Sequence, residues 1–354
     1  MDSIVRAAAE AVGSRLGGAV DLGGSSRSTV LRCVTGDGGS VVVKAFGEGV
    51  EGRRGFVAEV AGLSLGIGGP RVLGVDAGVP LLVTEDFGGA PTLADVLLGS
   101  EPGVARDGLV DWARGLGRLA AASVGRRGEL ARLWARYGAG VASWEDEPWV
   151  ARNAQALPGV LEGAGIGVPP GLVEEVARAG AVGYPAFTPG DTCPDNALLT
   201  PDGLRLIDFE AACFQSVFLT AAYCRMPFSS CWCVFRLPPG TAEAVEGAFR
   251  DEVVGVYPEL ADDAVWEAGM RRAVVVWTVD ATVRLLPRTA VDGPLHRTRV
   301  PVPTRRQVLR HRWESAGEPA EFPAFTQVMR ALSREVAGRW EVEALPGYPA
   351  FTRG

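Results

Sequence analysis

A chain of 354 residues, 47% hydrophobic and 22% charged, carries enough apolar material for a large buried core, in one big domain or two lobes. Its net charge of -7 argues against nucleic acid as the main partner, because gripping a phosphate backbone needs a clustered excess of positive charge. The opening residues show no basic leader followed by an apolar block, and no apolar run is long enough to cross a bilayer, so the expectation is a cytoplasmic protein without a membrane partner.

The first 86 residues read as strands with one helix among them. Residues 21–28 form a turn of small residues, 29–34 a strand, 35–40 a hairpin loop, and 41–46 the strand that carries Lys44. Lys44 is the only lysine, against 34 arginines. Codon bias accounts for the arginines but not for the exception. A lone lysine belongs where a compact ammonium on a flexible stem does what a planar guanidinium fork does not.

Phe56, Val60 and Leu63 at helical spacing predict a helix over 56–65, bearing Glu59 and ending at a Gly/Pro breaker over 66–70. Strands over 71–75 and 80–84 follow. The glycine pair after Glu85-Asp86-Phe87 marks the expected boundary between a first domain of 1–86 and a second of 87–354. Beyond it, amphipathic patterns predict helices at 92–98, 107–124, 128–137, 170–179, 241–255, 262–286 and 323–338. Short extended pieces and a polar loop interrupt them between 180 and 210. One hexapeptide, 183–188, recurs as 347–352.

Four of six cysteines, Cys213, Cys224, Cys231 and Cys233, lie close together. They lack the repeated Cys-x-x-Cys or neighbouring histidines of a zinc site, and read as buried free thiols. The arginine-rich stretch from Arg297 to Arg312 reads as a solvated face or a local ion-pair network.

The densest polar cluster holds Asp191, Asn196 five residues on, and Asp208 at the end of an apolar strand. Two carboxylates and an amide oxygen are hard ligands of the kind that hold Mg2+ beside substrate phosphates. A hairpin through the turn at 201–203 would return Asp208 to Asn196. Taken alone, Asp191 and Asn196 also suit an Asx-turn pair capping a loop.

Asp191-x-x-x-x-Asn196 followed by Ile207-Asp208-Phe209 resembles the catalytic loop and metal-binding motif of the protein-kinase-like fold. The Gly190-Asp191 pair, and Glu210 after Ile207-Asp208-Phe209, are closest to the aminoglycoside phosphotransferase and choline kinase branch. Lys44, Glu59 and the hinge at Glu85-Asp86-Phe87 stand in the order that branch requires. The resemblance implies an α+β, two-lobed protein-kinase-like fold, with a small antiparallel-sheet N-terminal nucleotide-binding lobe and a larger, mostly helical C-terminal lobe.

It also implies roles. Lys44 would bind the α and β phosphates of ATP or GTP, Glu59 would pair with Lys44, and Asp191 would orient or accept the proton of the attacking hydroxyl. Asn196 and Asp208 would hold Mg2+. Gly23, Gly24, Ser25 and Ser26 would lie over the phosphates, with backbone groups at Glu85 and Phe87 on the purine and Thr84 beside it. Glu210 stays open between a metal or substrate contact and a plain polar residue.

The chain departs from the family in two places. Pro189 stands where a histidine usually precedes the catalytic aspartate, and 217–223 offers no aspartate opening a helix. These motivate an alternative, a nucleotide-binding pseudokinase or scaffold. The leading expectation is a kinase of a small hydroxylated molecule: an antibiotic, an aminosugar, a nucleoside-like compound or another natural product. Trp144, Glu145, Asp146, Glu147 and Trp149, with Trp277 and Asp280, would suit a polycationic aminosugar or a nucleoside-like acceptor, or equally read as a solvated loop and a core helix, whereas the late arginines favour an anionic acceptor.

Overall fold

The computed structural model describes residues 1–25, 27–181, 183–226, 228 and 231–352. In chain order the elements are α1 (Asp2–Val12), β1 (Leu16–Ser25), β2 (Ser28–Thr35), β3 (Ser40–Phe46), α2 (Val50–Ser64), β4 (Val72–Asp76), β5 (Leu81–Glu85), α3 (Leu93–Leu97), α4 (Pro102–Ser123), α5 (Arg127–Gly138), α6 (Trp149–Gly163) and α7 (Leu172–Gly180). They continue with β6 (Pro185–Thr188), β7 (Ala197–Thr200), β8 (Gly203–Leu206), β9 (Cys213–Ser216), α8 (Val217–Arg225), α9 (Thr241–Val254), α10 (Asp263–Leu285), α11 (Arg305–Ser315), α12 (Pro323–Ala331) and α13 (Pro349–Thr352).

Two compact units result. One gathers Met1–Leu93, Arg118–Glu147 and Ala186–Gln215; the other gathers Ala94–Gly117, Pro148–Pro185 and Ser216–Gly354. The expected boundary at 86/87 falls inside the first.

In the first unit the sheet runs β1-β2-β3-β5-β4, with every pairing antiparallel. Strand side chains alternate between faces. Leu31, Cys33, Val41, Val43, Leu81 and Val83 therefore make one apolar face, against which α1 lays Ile4, Val5, Ala8 and Val12. Lys44, one step on from Val43, points to the other face with Phe46, whose ring meets Phe56 of α2 edge-on at 5.7 Å.

Helix α2 is buried nearly all round, from Arg54 to Leu63. Each buried Phe, Val or Leu side chain in it is worth roughly 1.5–3 kcal/mol. Gly62 allows a close approach: a Cβ there would lie 2.8 Å from the Ala212 Cβ and 3.0 Å from the Phe187 ring. The same unit holds the β7–β8 hairpin and the β6–β9 pair.

The second unit is built on α10, whose first turn is capped by Asp262 accepting from Ala264 and Val265. Trp266, Met270, Val275 and Val279 of α10 are buried, and α6, α7, α8 and α11 pack on it. Glu175 of α7 accepts the Ala324 and Phe325 amides at 3.1 and 3.0 Å, so a carboxylate sits at the positive end of α12. Among the described residues no helix is long and apolar enough to cross a membrane.

Several expectations need correction. Helices α1, α6, α11 and α13 were not foreseen. Residues 21–25 belong to strand β1 rather than to a turn, because Asp21, Gly23, Gly24 and Ser25 pair with Leu31, Val30, Thr29 and Ser28. The helix expected over 323–338 changes at Leu332 into a π turn and then a 3-10 turn. The arginine stretch is not a solvated face throughout: Arg312 is buried, Arg310 pairs with Glu314, and Arg305 and Arg306 donate to carbonyls over 288–291.

Cys33, Cys213, Cys224 and Cys233 are free thiols, whereas Cys193 and Cys231 are disulfide-bonded. Pairing depends on proximity in the fold, which spacing along the chain does not reveal. Burial, reinforced by Glu145, pushes the Cys213 thiol up to about 12, so this thiol stays protonated.

Candidate active site

Three elements of the first unit converge on Lys44. Its Nζ lies 2.6 Å from Glu59 Oε2, 2.5 Å from Asp208 Oδ1 and 3.4 Å from Glu210 Oε2. Lys44 and Glu59 are 8% and 5% exposed, so the pair is a buried one. Burial works against the ammonium, yet Glu59, Asp208 and Glu210 outweigh it and hold the Lys44 pKa above its ordinary value. Burial, and then the charges of Asp208 and Glu210, raise Glu59 against the pull of Lys44.

The β7–β8 hairpin sets the metal-type ligands side by side. Ala197 pairs with Leu206, and the Ile207 amide donates to the Asn196 carbonyl at 2.9 Å. Asp208 then turns out of the strand at φ 63, a left-handed conformation strained for any residue but glycine and concentrated at functional sites. Asn196 donates Nδ2 to the Asp191 carbonyl at 3.2 Å, which leaves its Oδ1 as an acceptor. Asp208, Glu210 and the Asn196 amide oxygen are the hard oxygen donors that suit Mg2+, and the three carboxylates on Lys44 exceed its single positive charge.

Asp191 follows Gly190, whose φ of 87 and neighbours admit no side chain: a Cβ there would lie 2.1 Å from the Ala211 carbonyl oxygen. The Asp191 carboxylate accepts the Cys193 amide at 3.2 Å, so the Asx-turn is present. Burial, then the charges of Asp208, Asp195 and Glu210, push its pKa up to about 6 despite that bond. A carboxylate poised there suits proton acceptance near neutral pH.

Gly23, Gly24 and Ser25 form the exposed end of β1. Asp21 accepts the Gly23 amide at 2.7 Å, and Ser25 Oγ accepts the Arg27 amide at 3.0 Å. Ser26 lies outside the described residues. Thr84 is buried opposite Val42. The Glu85 amide donates to the Arg71 carbonyl at 3.0 Å, so that amide is already engaged. Beside it, Arg32 grips Asp86 with two bonds of 2.6 and 2.9 Å and also donates to the Gly88 carbonyl, fixing the stretch through Phe87.

Sequence reasoning missed a strap. Arg54 of α2 lies 3.8 Å from the Trp144 ring centroid and donates to the Ser143 carbonyl and to Glu147, while Trp144 donates to the Glu210 carbonyl. Glu145 accepts the Phe214 amide and pairs with Arg127. These acidic and aromatic groups are therefore engaged within the first unit, and they lend no support to a polycationic acceptor. In the second unit Trp149 stacks on Trp277 at 5.2 Å, and Asn153 donates to Asp280 at 3.0 Å. Helix α8 opens on Ser216, which accepts the Phe218 amide, so a serine caps the helix for which no opening aspartate was found.

No family model matches the chain, and no curated protein matches it. Among solved structures, a protein from Thermobifida fusca YX-ER1 assigned as a fructosamine-3-kinase is similar at 17% identity and a TM-score of 0.51, over 89% of this chain and 99% of that one. A macrolide 2'-phosphotransferase from Brachybacterium faecium is similar at 16% identity and a TM-score of 0.50, over 82% of this chain and 94% of that one. Both likenesses are of fold. The α+β kinase-like fold implied by the motifs is the fold of this chain.

Proposed function

We propose that the protein is a small-molecule kinase that transfers the γ-phosphate of ATP or GTP to a hydroxyl of a small acceptor. The observation that carries this reading is the convergence of Glu59, Asp208 and Glu210 on the sole lysine, beside a carboxylate whose pKa is raised to about 6. Phosphoryl transfer asks for held phosphates, neutralised charge and an aligned nucleophile more than for covalent chemistry by the protein.

Lys44 binds the α and β phosphates, and Glu59 aims it. Asp208 and Asn196 hold Mg2+, with Glu210 beside them; when bound, the ion neutralises phosphate charge. Asp191 accepts the acceptor's hydroxyl proton as the oxygen bonds to the γ-phosphorus. The bond from that phosphorus to the bridging oxygen breaks, and the nucleoside diphosphate leaves with the electron pair. The backbone of Gly23, Gly24 and Ser25 covers the phosphates, and the Glu85 carbonyl and the Phe87 backbone meet the purine beside Thr84.

The test is a screen of hydroxylated antibiotics and metabolites for a mass gain of one phosphate, run with ATP and with GTP. Transfer that requires Mg2+ and is lost in Asp191→Asn supports the reading. Nucleotide binding without transfer to any acceptor or to water favours a pseudokinase, and absence of nucleotide binding by calorimetry removes both.

A further inference from the structure

Arg27 stands at the reversal between β1 and β2. Its backbone is pinned: its carbonyl accepts the Gly47 amide at 2.7 Å, and its own amide donates to Ser25 Oγ. Its side chain is free to reach inward, and its Nη2 lies 2.6 Å from Glu210 Oε1. The other oxygen of that carboxylate, Oε2, lies 3.4 Å from Lys44 Nζ. One carboxylate thus spans the two cationic groups of the site, and they meet its two oxygens as they would meet two oxygens of a polyphosphate.

We propose that Arg27 is a phosphate ligand that exchanges Glu210 for the terminal phosphate oxygens of a nucleoside triphosphate. The inference rests on the kinase reading above and adds a residue that the glycine and serine pattern of the loop does not supply.

Three physical points support the exchange. The Arg27 side chain is 46% exposed, and an ion pair so open to water is weak and readily traded. A guanidinium fork offers two parallel donors to phosphate, a geometry that Lys44 lacks. The charges also favour it: Glu59, Asp191, Asp208 and Glu210 outnumber Lys44, so a polyphosphate gains from a further cation, and Arg27 brings it at the reversal between β1 and β2. Glu210 keeps Lys44 as a partner after Arg27 leaves.

The experiment measures the binding of ATP, ADP and AMP, and of the guanosine series in parallel, by calorimetry to the wild type, Arg27→Gln and Arg27→Lys. Arg27→Gln is expected to weaken triphosphate binding about tenfold or more, as loss of a charge-assisted bond does, with AMP binding unchanged. Arg27→Lys should recover part of the loss. AMP serves as the internal check on folding. Equal affinities of the wild type and Arg27→Gln for all three nucleotides would overturn the inference and leave the kinase reading standing. Equal losses for ATP and AMP would also overturn it, because the loop would then act on the nucleoside end. A wild type that binds no nucleotide would overturn both.

Discussion

The indole N–H of Trp144 donates to the backbone carbonyl of Glu210 at 3.0 Å, while the face of the same ring lies 3.8 Å from the Arg54 guanidinium. A single side chain thereby joins α2, which carries Glu59, to the segment that carries Asp208 and Glu210. Arg54 tightens the join with bonds of 2.6 Å to the Ser143 carbonyl and 3.1 Å to Glu147. The three carboxylates that close on Lys44 from two parts of the chain are thus held through one ring.

Trp144→Phe keeps the stacking on Arg54 and removes the donor. A part-buried carbonyl left without its partner costs about 1 kcal/mol, the low end of the range for a buried group, so denaturant unfolding should show a loss of that order. With the Asp208–Glu210 segment less firmly held, kcat should fall about tenfold while the nucleotide KM changes little. Steady-state kinetics on folded variant would check this, and a kcat equal to that of the wild type would reduce the strap to a structural role.

What the sequence made legible was local. The run 41–46 placed Lys44 on a strand, and the spacing of Asp191, Asn196 and Asp208 described a loop and hairpin that the β7–β8 register reproduces. What stayed hidden depends on contacts far apart in the chain. Arg54 and Trp144 are ninety residues apart, Arg27 and Glu210 twice that, and no periodicity links them. Helix α11 was hidden because its arginines mask the apolar face that buries Val308, Leu309 and Trp313, although its Thr304–Gln307 capping box is readable in hindsight. The tetrapeptide Pro-Ala-Phe-Thr makes the point most directly. It is strand β6 at Pro185–Thr188, the start of α12 at Pro323, and helix α13 at Pro349–Thr352. Local propensity is the same in all three, so tertiary context decides.

Asp191 yields a prediction about stability with a definite sign. In the unfolded chain its pKa is the ordinary value near 4, and in the folded protein it is raised to about 6. Between these values the folded state holds the proton more tightly. The stability this contributes is fully present below pH about 4 and is lost as pH rises through about 6. Asp191→Asn removes the penalty and keeps an oxygen to accept the Cys193 amide. In chelator at pH 7.5 the variant should be the more stable, by at most about 3 kcal/mol for a shift of two units. Near pH 4 the two proteins should unfold together. Denaturant titrations across that range check it, and an Asn variant less stable at pH 7.5 would contradict the assignment of burial and carboxylate repulsion to this side chain.

Lys44 gives the sharpest comparison, because the chain uses arginine everywhere else. Its Nζ has three donors and meets three carboxylates at 2.5, 2.6 and 3.4 Å within a pocket where it is 8% exposed. Arginine keeps the charge but replaces a point by a plane some ångströms wider, and packing it there would push Glu59 or Asp208 from place at a cost of roughly 1–3 kcal/mol. Lys44→Arg should therefore fold with a modestly lowered melting temperature and lose phosphoryl transfer by about a hundredfold or more. Lys44→Met, which takes the lysine from Glu59 and Asp208 while Glu210 keeps Arg27, should destabilise the chain further, in the range of 3–5 kcal/mol typical of breaking a buried pair. Circular dichroism melts beside single-turnover kinetics separate the two effects. An arginine variant with undiminished turnover would mean that the solitary lysine is an accident of codon usage rather than a requirement of the site.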